Sequence, residues 1–458
     1  MIYFLTRQNV MHPSLLSNLD LHLQGKYRLG ASAERDLHQG LWNGTADSNT
    51  VVLVKCSSSD DVQAAVRIAG EADLKVSVLS GGHDWVGRAV SHGGMTLDLR
   101  AMHSAVRGEE LNILKVEGGA VVKDALEVLP HGFAFVSGVH TKVGVSGITL
   151  GGGYGKLNYR YGLAADALRQ ADVVLADGSK VSASAQSHQD LFWALRGAGK
   201  NFGVVTAMQF EIFPTVKVLS GVFFVPLDCS RQALREVQSI LDDAGGDLSI
   251  FSSFTEVPES GFGLLLELLW ADEEERGADY VERLETLPNV KVVKKEWVEY
   301  KQIFDESGDS AWPAGRGYKM DSHNIPRLGA EVIDAIVELA YDVPSPRTCI
   351  MLHDFHGVAA EVGAQATAFP LRRNHFNMQV VASWDPEDSE AAQKGSAWIV
   401  KARQQMEPLS FYGGYPAVLG LECAQRARLF YHNHMDRLKV IKNTYDPGNM
   451  FAADFGIF

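Results

Sequence analysis

A glycine-rich stretch in the first half of the chain constrains the fold more than any other feature. The segment from Val143 to Gly155, Val-Gly-Val-Ser-Gly-Ile-Thr-Leu-Gly-Gly-Gly-Tyr-Gly, holds six glycines in thirteen residues, against an average share of roughly 7%. Apolar residues are interleaved throughout, which disfavours a merely flexible linker. Because glycine has no Cβ, its main-chain amides can approach an anion closely. The segment therefore predicts a wall of backbone against a large flat ligand and its phosphates.

Two better-known phosphate motifs do not fit this stretch. Gly155-Lys156 resembles the end of a P-loop, but Leu150 and Leu157 occupy the positions that need glycine and serine or threonine. The glycine spacing matches the Rossmann dinucleotide fingerprint only loosely, and it does not open a clear βαβ unit. Neither a P-loop nucleotide site nor a Rossmann site is predicted.

A second glycine loop carries a histidine. Ser80-Gly-Gly-His-Asp-Trp-Val-Gly87 directly follows the strand-like run Val76-Ser-Val-Leu. Adjacent glycines allow backbone N–H groups to converge on an anion, so His83 would lie beside whatever the loop binds. The alternative is a strand-to-loop turn with a surface histidine. A third stretch, from Asp190 to Val205, is predicted to be a short helix that ends in glycines and leads into a strand.

Composition sets the scale and excludes several protein classes. With 458 residues and 46% hydrophobic content, the chain suits two lobes, since single cores stop growing at roughly 250–300 residues. No apolar run approaches the ~20 residues of a membrane-spanning helix, and the formal charge of −14 argues against a nucleic-acid partner. The four cysteines form no paired spacing, so neither a metal site nor a disulfide framework is predicted. We expect a cytoplasmic protein.

Hydrophobic periodicity indicates an α+β chain that changes character near residue 215. Before that point, short apolar runs near residues 51, 76, 96, 114, 171 and 204 predict strands, and residues 60–69, 120–129 and 190–195 predict helices. After it, residues 221–226, 263–270 and 350–356 predict strands. Helices are predicted over 231–243, 272–287, 330–341, 389–405 and 438–445.

The three glycine stretches, in this order, resemble the FAD-binding domain of the vanillyl-alcohol-oxidase superfamily, and within it the berberine-bridge-enzyme-like oxidases. Thr367-Ala-Phe-Pro-Leu-Arg is similar to the family's substrate domain, and Tyr445-Asp-Pro-Gly-Asn-Met-Phe is similar to its C-terminal segment. The resemblance implies a PCMH-type FAD-binding domain over 1–215, completed by 415–458. It also implies a substrate domain over 216–414, with an antiparallel sheet covered by helices, and a berberine-bridge-like segment over 430–458.

The resemblance also implies covalent FAD. His83 matches the histidine bonded to the flavin 8α carbon, where a neutral imidazole is the nucleophile. His140 stands where some members have a second linking cysteine, so a single link is expected, and the surrounding Gly-x-His-x-Lys-Val-Gly pattern is most similar to that of a bacterial amine oxidase in the family. The remaining residues implied to bind FAD are Ser80, Gly81, Gly82, Asp84, Gly87, Gly138, Val143, Gly144, Gly147, Gly152, Gly153, Gly155, Leu157, Gly162, Asp166, Gly203, Val204 and Val205. His434 and Asp454 stand where many members have asparagine.

Candidates for acting on substrate lie in the second half. Period-2 alternation along Ile350-Met-Leu-His-Asp-Phe-His puts Leu352, Asp354 and His356 on one face, and by resemblance this strand lies over the flavin. His356 is then a candidate base, since histidine titrates near neutral pH; the alternative is a structural histidine. Tyr412 is a further candidate, because family members often place a tyrosine there.

These features predict an FAD-dependent oxidase of a small amine, alkaloid or related heterocycle, with dioxygen as acceptor, acting as a monomer or homodimer. One alternative is a sugar or secondary-alcohol oxidase, whose usual double flavin link is absent. An NADPH-dependent reductase on a related fold is a second, and His83 argues against it. A flavin-binding protein without catalysis is a third, and it would have a blocked pocket over the ring.

Overall fold

The computed structural model describes residues 13–215, 217–272, 274–304 and 312–451. Within these ranges the chain forms three main sheets with helices around them, and no helix there is both long and apolar enough to cross a membrane. The mixed helix-and-sheet architecture predicted from the sequence is confirmed.

The first sheet is small and mostly parallel. Its strands are β1 (Tyr27–Leu29), β2 (Val52–Lys55), β3 (Val76–Leu79) and β4 (Met95–Asp98), in the order β1-β2-β4-β3. The helix Ser59–Glu71 connects β2 to β3, as a parallel pair within one sheet requires a crossover. It begins at Ser58, whose side chain accepts a hydrogen bond from the Asp61 amide, and its apolar face buries Val62 and Val66 against the sheet.

The second sheet is antiparallel and has the order β5-β6-β10-β8-β9. Its strands are β5 (Ala105–Arg107), β6 (Ile113–Glu117), β8 (Leu168–Val174), β9 (Lys180–Ser184) and β10 (Val204–Glu211), while β7 (Phe133–Ala134) pairs separately with β11 (Phe213–Pro214). The helices around this sheet are Val122–Val128, Val145–Leu150, Asn158–Tyr161, Ala164–Ala167 and Gln189–Ala198. Together they form one large apolar core that includes Phe202 and Phe210.

The third sheet has seven antiparallel strands in the order β15-β12-β14-β13-β17-β18-β16. They are β12 (Val218–Pro226), β13 (Leu248–Val257), β14 (Gly261–Trp270), β15 (Lys291–Val298), β16 (Gly317–Ile325), β17 (Cys349–Phe355) and β18 (His375–Trp384). One face buries Ile350 and Leu352 with apolar residues of the long helices, such as Ile333 and Ile399. Those helices are Ser230–Ala244, Glu274–Glu285, Ala330–Tyr341 and Ser389–Met406. The other face is directed at the first half of the chain.

The chain returns to its first half at the end. The remaining helices are Pro13–His22, Ala31–His38, Val358–Glu361, Ala424–Phe430 and Met435–Tyr445. Leu438 and Ile441 of the last helix belong to the core of the second sheet. Beyond it, the Val76 amide donates to the Met450 carbonyl at 2.9 Å, so Met450 lies alongside β3.

Candidate active site

A cavity of about 360 Å³ lies between the glycine loops of the first half and the open face of the seven-stranded sheet. Its wall has three parts, which come from the His83 loop, from the glycine-rich segment, and from strands β16, β17 and β18. The sheet contributes Met320, Met351, His353, Gln379 and Val381. Trp42, Trp312, Tyr415 and Val418 fill the space between these parts.

The two glycine loops touch each other through their backbones. A Cβ on Gly81 would lie 2.3 Å from the Gly144 nitrogen, and a Cβ on Gly144 would lie 2.6 Å from the Gly81 nitrogen. Such distances are far below van der Waals contact, so both positions require glycine. Ser146 fixes the junction, because its Oγ donates to the Gly118 carbonyl at 2.6 Å and lies within hydrogen-bond distance of Ser80 Oγ, at 3.0 Å.

His83 follows directly on this junction. Gly82 has φ +73°, and a Cβ there would meet the Gly40 carbonyl oxygen at 2.2 Å. The His83 ring lies nearly parallel to the Trp42 ring, with centroids 5.5 Å apart, and Trp42 stacks in turn on Tyr318 at 3.8 Å. The His140 ring lies 4.9 Å from the His83 ring. One face of the His83 imidazole is thus covered, and the ring is held at the cavity wall.

An internal ion pair holds the His83 loop in shape. Asp84 Oδ1 accepts the backbone N–H groups of Val86, Gly87 and Arg88, and Asp84 Oδ2 accepts Arg88 Nε at 2.8 Å. Burial alone raises the pKa of Asp84, but the charges of Arg88 and Lys200 and these hydrogen bonds lower it below its usual value. Asp84 is therefore ionised at neutral pH.

Arg88 also ties the loop to the C-terminal part of the chain. Its guanidinium donates to the carbonyls of Pro416 and Ala417, both at 2.9 Å. Trp85 Nε1 donates to the Val418 carbonyl at 2.7 Å. The wall of the cavity thus joins two segments more than three hundred residues apart.

Most of the residues that were predicted to bind FAD line this cavity. They are Ser80, Gly81, Gly82, His83, Asp84, Gly138, His140, Val143, Gly144, Gly147, Gly203 and Val205. The structure therefore brings the three glycine stretches together on one side of a single space.

The others lie outside the cavity wall, and the structure gives each a local reason. A Cβ on Gly152 would meet Phe369, one on Gly153 would meet Ala164, and one on Gly155 would meet the Ser137 carbonyl, so these glycines permit the chain to approach itself. The remaining cases are Gly87 and Gly162 at positive φ, Leu157 and Val204 in apolar cores, and Asp166 paired with Arg372 at 2.7 Å. At these positions the structure shows a local structural role, and their contact with FAD stays a prediction.

The prediction for β17 chose the wrong face. Met351 and His353 line the cavity, whereas Ile350 and Leu352 pack beneath the helices. Asp354 is fully buried and accepts hydrogen bonds from Ser249 Oγ at 2.9 Å and the Ile250 amide at 3.0 Å. The alternation was right, but it cannot tell which face the helices cover.

His356 is likewise a structural residue by its position. It lies just beyond the end of β17, and its Nε2 lies 2.6 Å from the Leu248 carbonyl, to which it donates. Its Nδ1 is 3.4 Å from Asp354 Oδ2. Neither Asp354 nor His356 is part of the cavity wall.

Tyr412 is also corrected, since 86% of its surface is exposed and it does not line the cavity. The chain turns at Gly413, with φ +91°, and presents Tyr415 to the cavity instead. Tyr415 is buried, its hydroxyl accepts the Gly153 amide at 3.4 Å, and burial raises its pKa to about 12.

Several lining residues were missed by sequence reasoning. Trp42, Trp312, Met320 and Gln379 come from segments without a motif, so only the fold brings them to the cavity. Lys200 lies in the third glycine stretch, where a cation beside a phosphate-binding wall was a usable signal. Of the two positions that depart from the family pattern, His434 is buried near the Ala368 carbonyl, away from the cavity, and Asp454 lies outside the described residues.

The residues present fit an FAD group. Gly81, Gly138, Gly144 and Gly147 provide backbone that no Cβ obstructs, and Gly147 has no neighbour within 4 Å of its Cβ position. Lys200 supplies a positive charge on the same wall, as a pyrophosphate requires. His83 lies at the inner edge of this wall and faces the same cavity.

Comparison with known proteins agrees with this geometry. Residues 51–184 match the FAD binding domain family. An FAD-linked oxidoreductase of Dictyostelium discoideum is 27% identical over 94% of both chains. The (R)-6-hydroxynicotine oxidase of Paenarthrobacter nicotinovorans is 37% identical over 223 residues, which are 48% of this chain and 49% of that protein.

The fold is shared with solved flavoenzymes. The crystal structure of 6-hydroxy-D-nicotine oxidase from Arthrobacter nicotinovorans superposes with a TM-score of 0.82 and 24% identity, over 95% of this chain and 98% of that one. The ordered glycine loops, the relatives and the fold agree with one another. The chain is therefore an FAD-dependent oxidoreductase that carries an FAD binding domain over residues 51–184.

Proposed function

We propose that this enzyme holds FAD covalently through His83, oxidises a small amine or related apolar heterocycle, and passes the electrons to dioxygen. The observation that carries the proposal is the position of His83 between two unlike walls. On one side lie the glycine backbones and Lys200, which suit a dinucleotide. On the other side lies the mostly apolar face of the sheet, which suits an organic ring.

The covalent link requires a neutral imidazole held next to its target. Trp42 covers one face of the His83 ring, which restricts the ring at the cavity wall. Gly82 and the Asp84–Arg88 pair fix the loop on either side. When bound, FAD supplies the two-electron redox chemistry, and the protein supplies position and electrostatics.

The sheet side of the cavity supports an apolar substrate. Met320, Met351 and Val381 give it an apolar surface, and Trp42 and Trp312 add flat aromatic area. A sugar presents a hydroxyl on nearly every carbon, and each one desolvated without a partner costs free energy. One relative is named (R)-6-hydroxynicotine oxidase, and a substrate of the kind in that name is consistent with such a wall.

The first experiment tests the covalent link. Purified wild-type protein, His83→Ala and the control His92→Ala are precipitated with acid, and the yellow colour is followed between pellet and supernatant. His92 is half-exposed on the same stretch of chain and does not line the cavity. We expect colour in the pellet for wild type and His92→Ala, and in the supernatant for His83→Ala.

The second experiment tests substrate and acceptor. Oxygen consumption and hydrogen peroxide formation are measured with a panel of cyclic amines, aromatic alcohols and oligosaccharides. Turnover with amines and stoichiometric peroxide supports the proposal. Turnover with oligosaccharides alone would move the sugar-oxidase alternative ahead, and flavin released from the wild-type protein would refute the covalent link.

A further inference from the structure

The sheet side of the cavity carries a small polar spot in an apolar wall. Of the five lining residues from β16, β17 and β18, only His353 and Gln379 are polar, and both are 8% exposed. Met351 pairs with Gln379 and His353 pairs with Asn377 across neighbouring strands, so His353 and Gln379 are diagonal neighbours on the same face. Polar side chains this buried normally have a hydrogen-bond partner.

The Gln379 carboxamide is oriented by the residues behind it. Gln379 Nε2 donates to Asn377 Oδ1 at 2.7 Å. Asn377 Nδ2 donates in turn to Ser322 Oγ at 3.0 Å and Asn324 Oδ1 at 3.3 Å. This chain of bonds uses the amide nitrogen of Gln379. That nitrogen keeps a second N–H, and the carbonyl oxygen of Gln379 is the group that can accept from a bound molecule.

The His353 ring is held in place without using its nitrogens. It stacks on Phe251 with centroids 4.3 Å apart and planes 15° apart, and within the described ranges no hydrogen bond to its ring nitrogens is found. The charged groups that face it are Glu267 and Lys156, which bind each other at 2.9 Å. Burial lowers the pKa of His353 to about 4, so the ring is neutral near pH 7 and has one nitrogen that accepts.

We propose, resting on the proposed function above, that His353 and Gln379 form the substrate-recognition pair of this enzyme and accept a hydrogen bond from an N–H or O–H of a flat, otherwise apolar and uncharged ring. The apolar neighbours Met351 and Val381 contact the remainder of the ring. The charged lining residues are Asp84, Arg88 and Lys200, and the Asp84 carboxylate is bound to Arg88. A cationic ring would therefore be buried without a counterion, which is costly.

The test uses two probes that differ by one N–H donor, indole and 1-methylindole. Their dissociation constants are measured by perturbation of the flavin absorption spectrum, without turnover, between pH 6 and 8.5. We expect wild-type protein to bind indole about tenfold more tightly than 1-methylindole, with a ratio that does not change over this pH range. In the double variant His353→Leu/Gln379→Leu the ratio should fall to about one.

Two further variants separate recognition from a loss of structure. His353→Gln keeps an acceptor at this position and should keep most of the ratio. Met351→Leu changes the same wall without changing a hydrogen-bonding group, so it should affect both probes equally. Bound flavin, measured in each preparation, reports whether the cavity is intact.

The outcomes are distinct. Equal binding of the two probes to wild type, absence of binding by indole, or an unchanged ratio in the double variant would each overturn the recognition pair while covalent flavin and oxidase turnover persist. A wild-type preparation that carries no flavin would instead refute the proposed function, and the recognition pair with it.

Discussion

The contact between the two glycine loops makes a sharp prediction about Gly144. A Cβ at this position would lie 2.5 Å from Ser80 Oγ, 2.6 Å from the Gly81 nitrogen and 3.1 Å from the Gly81 Cα. Ordinary carbon contacts begin near 3.5 Å, so Gly144→Ala must separate the loops by roughly 1 Å. Overpacking of this kind in a well-packed site costs about 1–3 kcal/mol of folding free energy.

Gly147 is the matched control, one helical turn away. It lines the same cavity, but its Cβ position has no neighbour within 4 Å. It lies inside the helix Val145–Leu150, where alanine is favoured over glycine by up to about 1 kcal/mol. Gly147→Ala should therefore leave the flavin-free chain as stable as wild type or slightly more so, while its methyl group enters the space assigned to FAD.

The assay compares the two variants in a His83→Ala background, from which noncovalent flavin is removed by dialysis. Urea unfolding followed by circular dichroism should show a lower midpoint for Gly144→Ala and an equal or higher one for Gly147→Ala. In the His83 background, both should have a reduced ratio of flavin to protein. Equal stability of Gly144→Ala and the parent, or a normal flavin content in Gly147→Ala, would refute the reasoning.

Further predictions concern Arg88, two tyrosines and two buried histidines. Arg88→Leu should cost about 3–5 kcal/mol in urea unfolding at pH 7, because it leaves the Asp84 carboxylate buried without its partner. Since the folded pKa of Asp84 lies below its unfolded value of 3.8, this cost is present above that pH and should shrink as the pH falls through the folded pKa. Tyr412→Phe should leave flavin attachment and turnover unchanged because the side chain is exposed. A large loss of either would restore Tyr412 as a candidate. Tyr415→Phe removes the acceptor of the Gly153 amide and should lower thermal stability. Burial lowers the pKa of His353 and of His375 to about 4. Below pH 6.5 the unfolded chain therefore binds more protons than the folded chain. The free energy of unfolding should fall from pH 6.5 towards 4 by about 1.4 kcal/mol per pH unit for each histidine. A flat unfolding free energy over this window would contradict the last assignment.

Elements with a regular apolar period were predicted well from sequence. The run Val76–Leu79 is a strand with the predicted bounds, and Ala330–Tyr341 is a helix with the predicted bounds. In the helix, the burial of the residues follows the local apolar pattern. The same local logic predicted the two glycine loops and their histidine.

Several strands were not predicted, and β15 and β16 show the physical reasons. β15, Lys-Val-Val-Lys-Lys-Glu-Trp-Val, is an edge strand whose residues are mostly exposed, so it lacks an alternation of apolar and polar residues. β16 contains the polar run Asp321-Ser-His-Asn324, which is typical of a loop, yet all four residues are buried. Arg426 binds Asp321 at 2.7 Å from a distant segment, and no local sequence signal records that partner.

The sheet side of the site was predicted less well than the cofactor side. A glycine is required wherever two backbones meet, so the cofactor wall is visible in the sequence. The substrate wall depends on which face of β17 the helices cover, and alternation along Ile350–His356 is compatible with either choice. Phe251 and Gln379 reach the site only through strand register, which no motif encodes.

The ties between the His83 loop and the C-terminal segment have a consequence for biosynthesis. The carbonyls that Arg88 and Trp85 bind belong to residues 416–418. The Met450 carbonyl accepts a hydrogen bond from the backbone of β3. A chain still emerging from the ribosome lacks these groups until residues 416–450 have been translated. Cofactor attachment is therefore expected to follow translation of this segment, and a chain truncated after residue 414 should be recovered without covalent flavin.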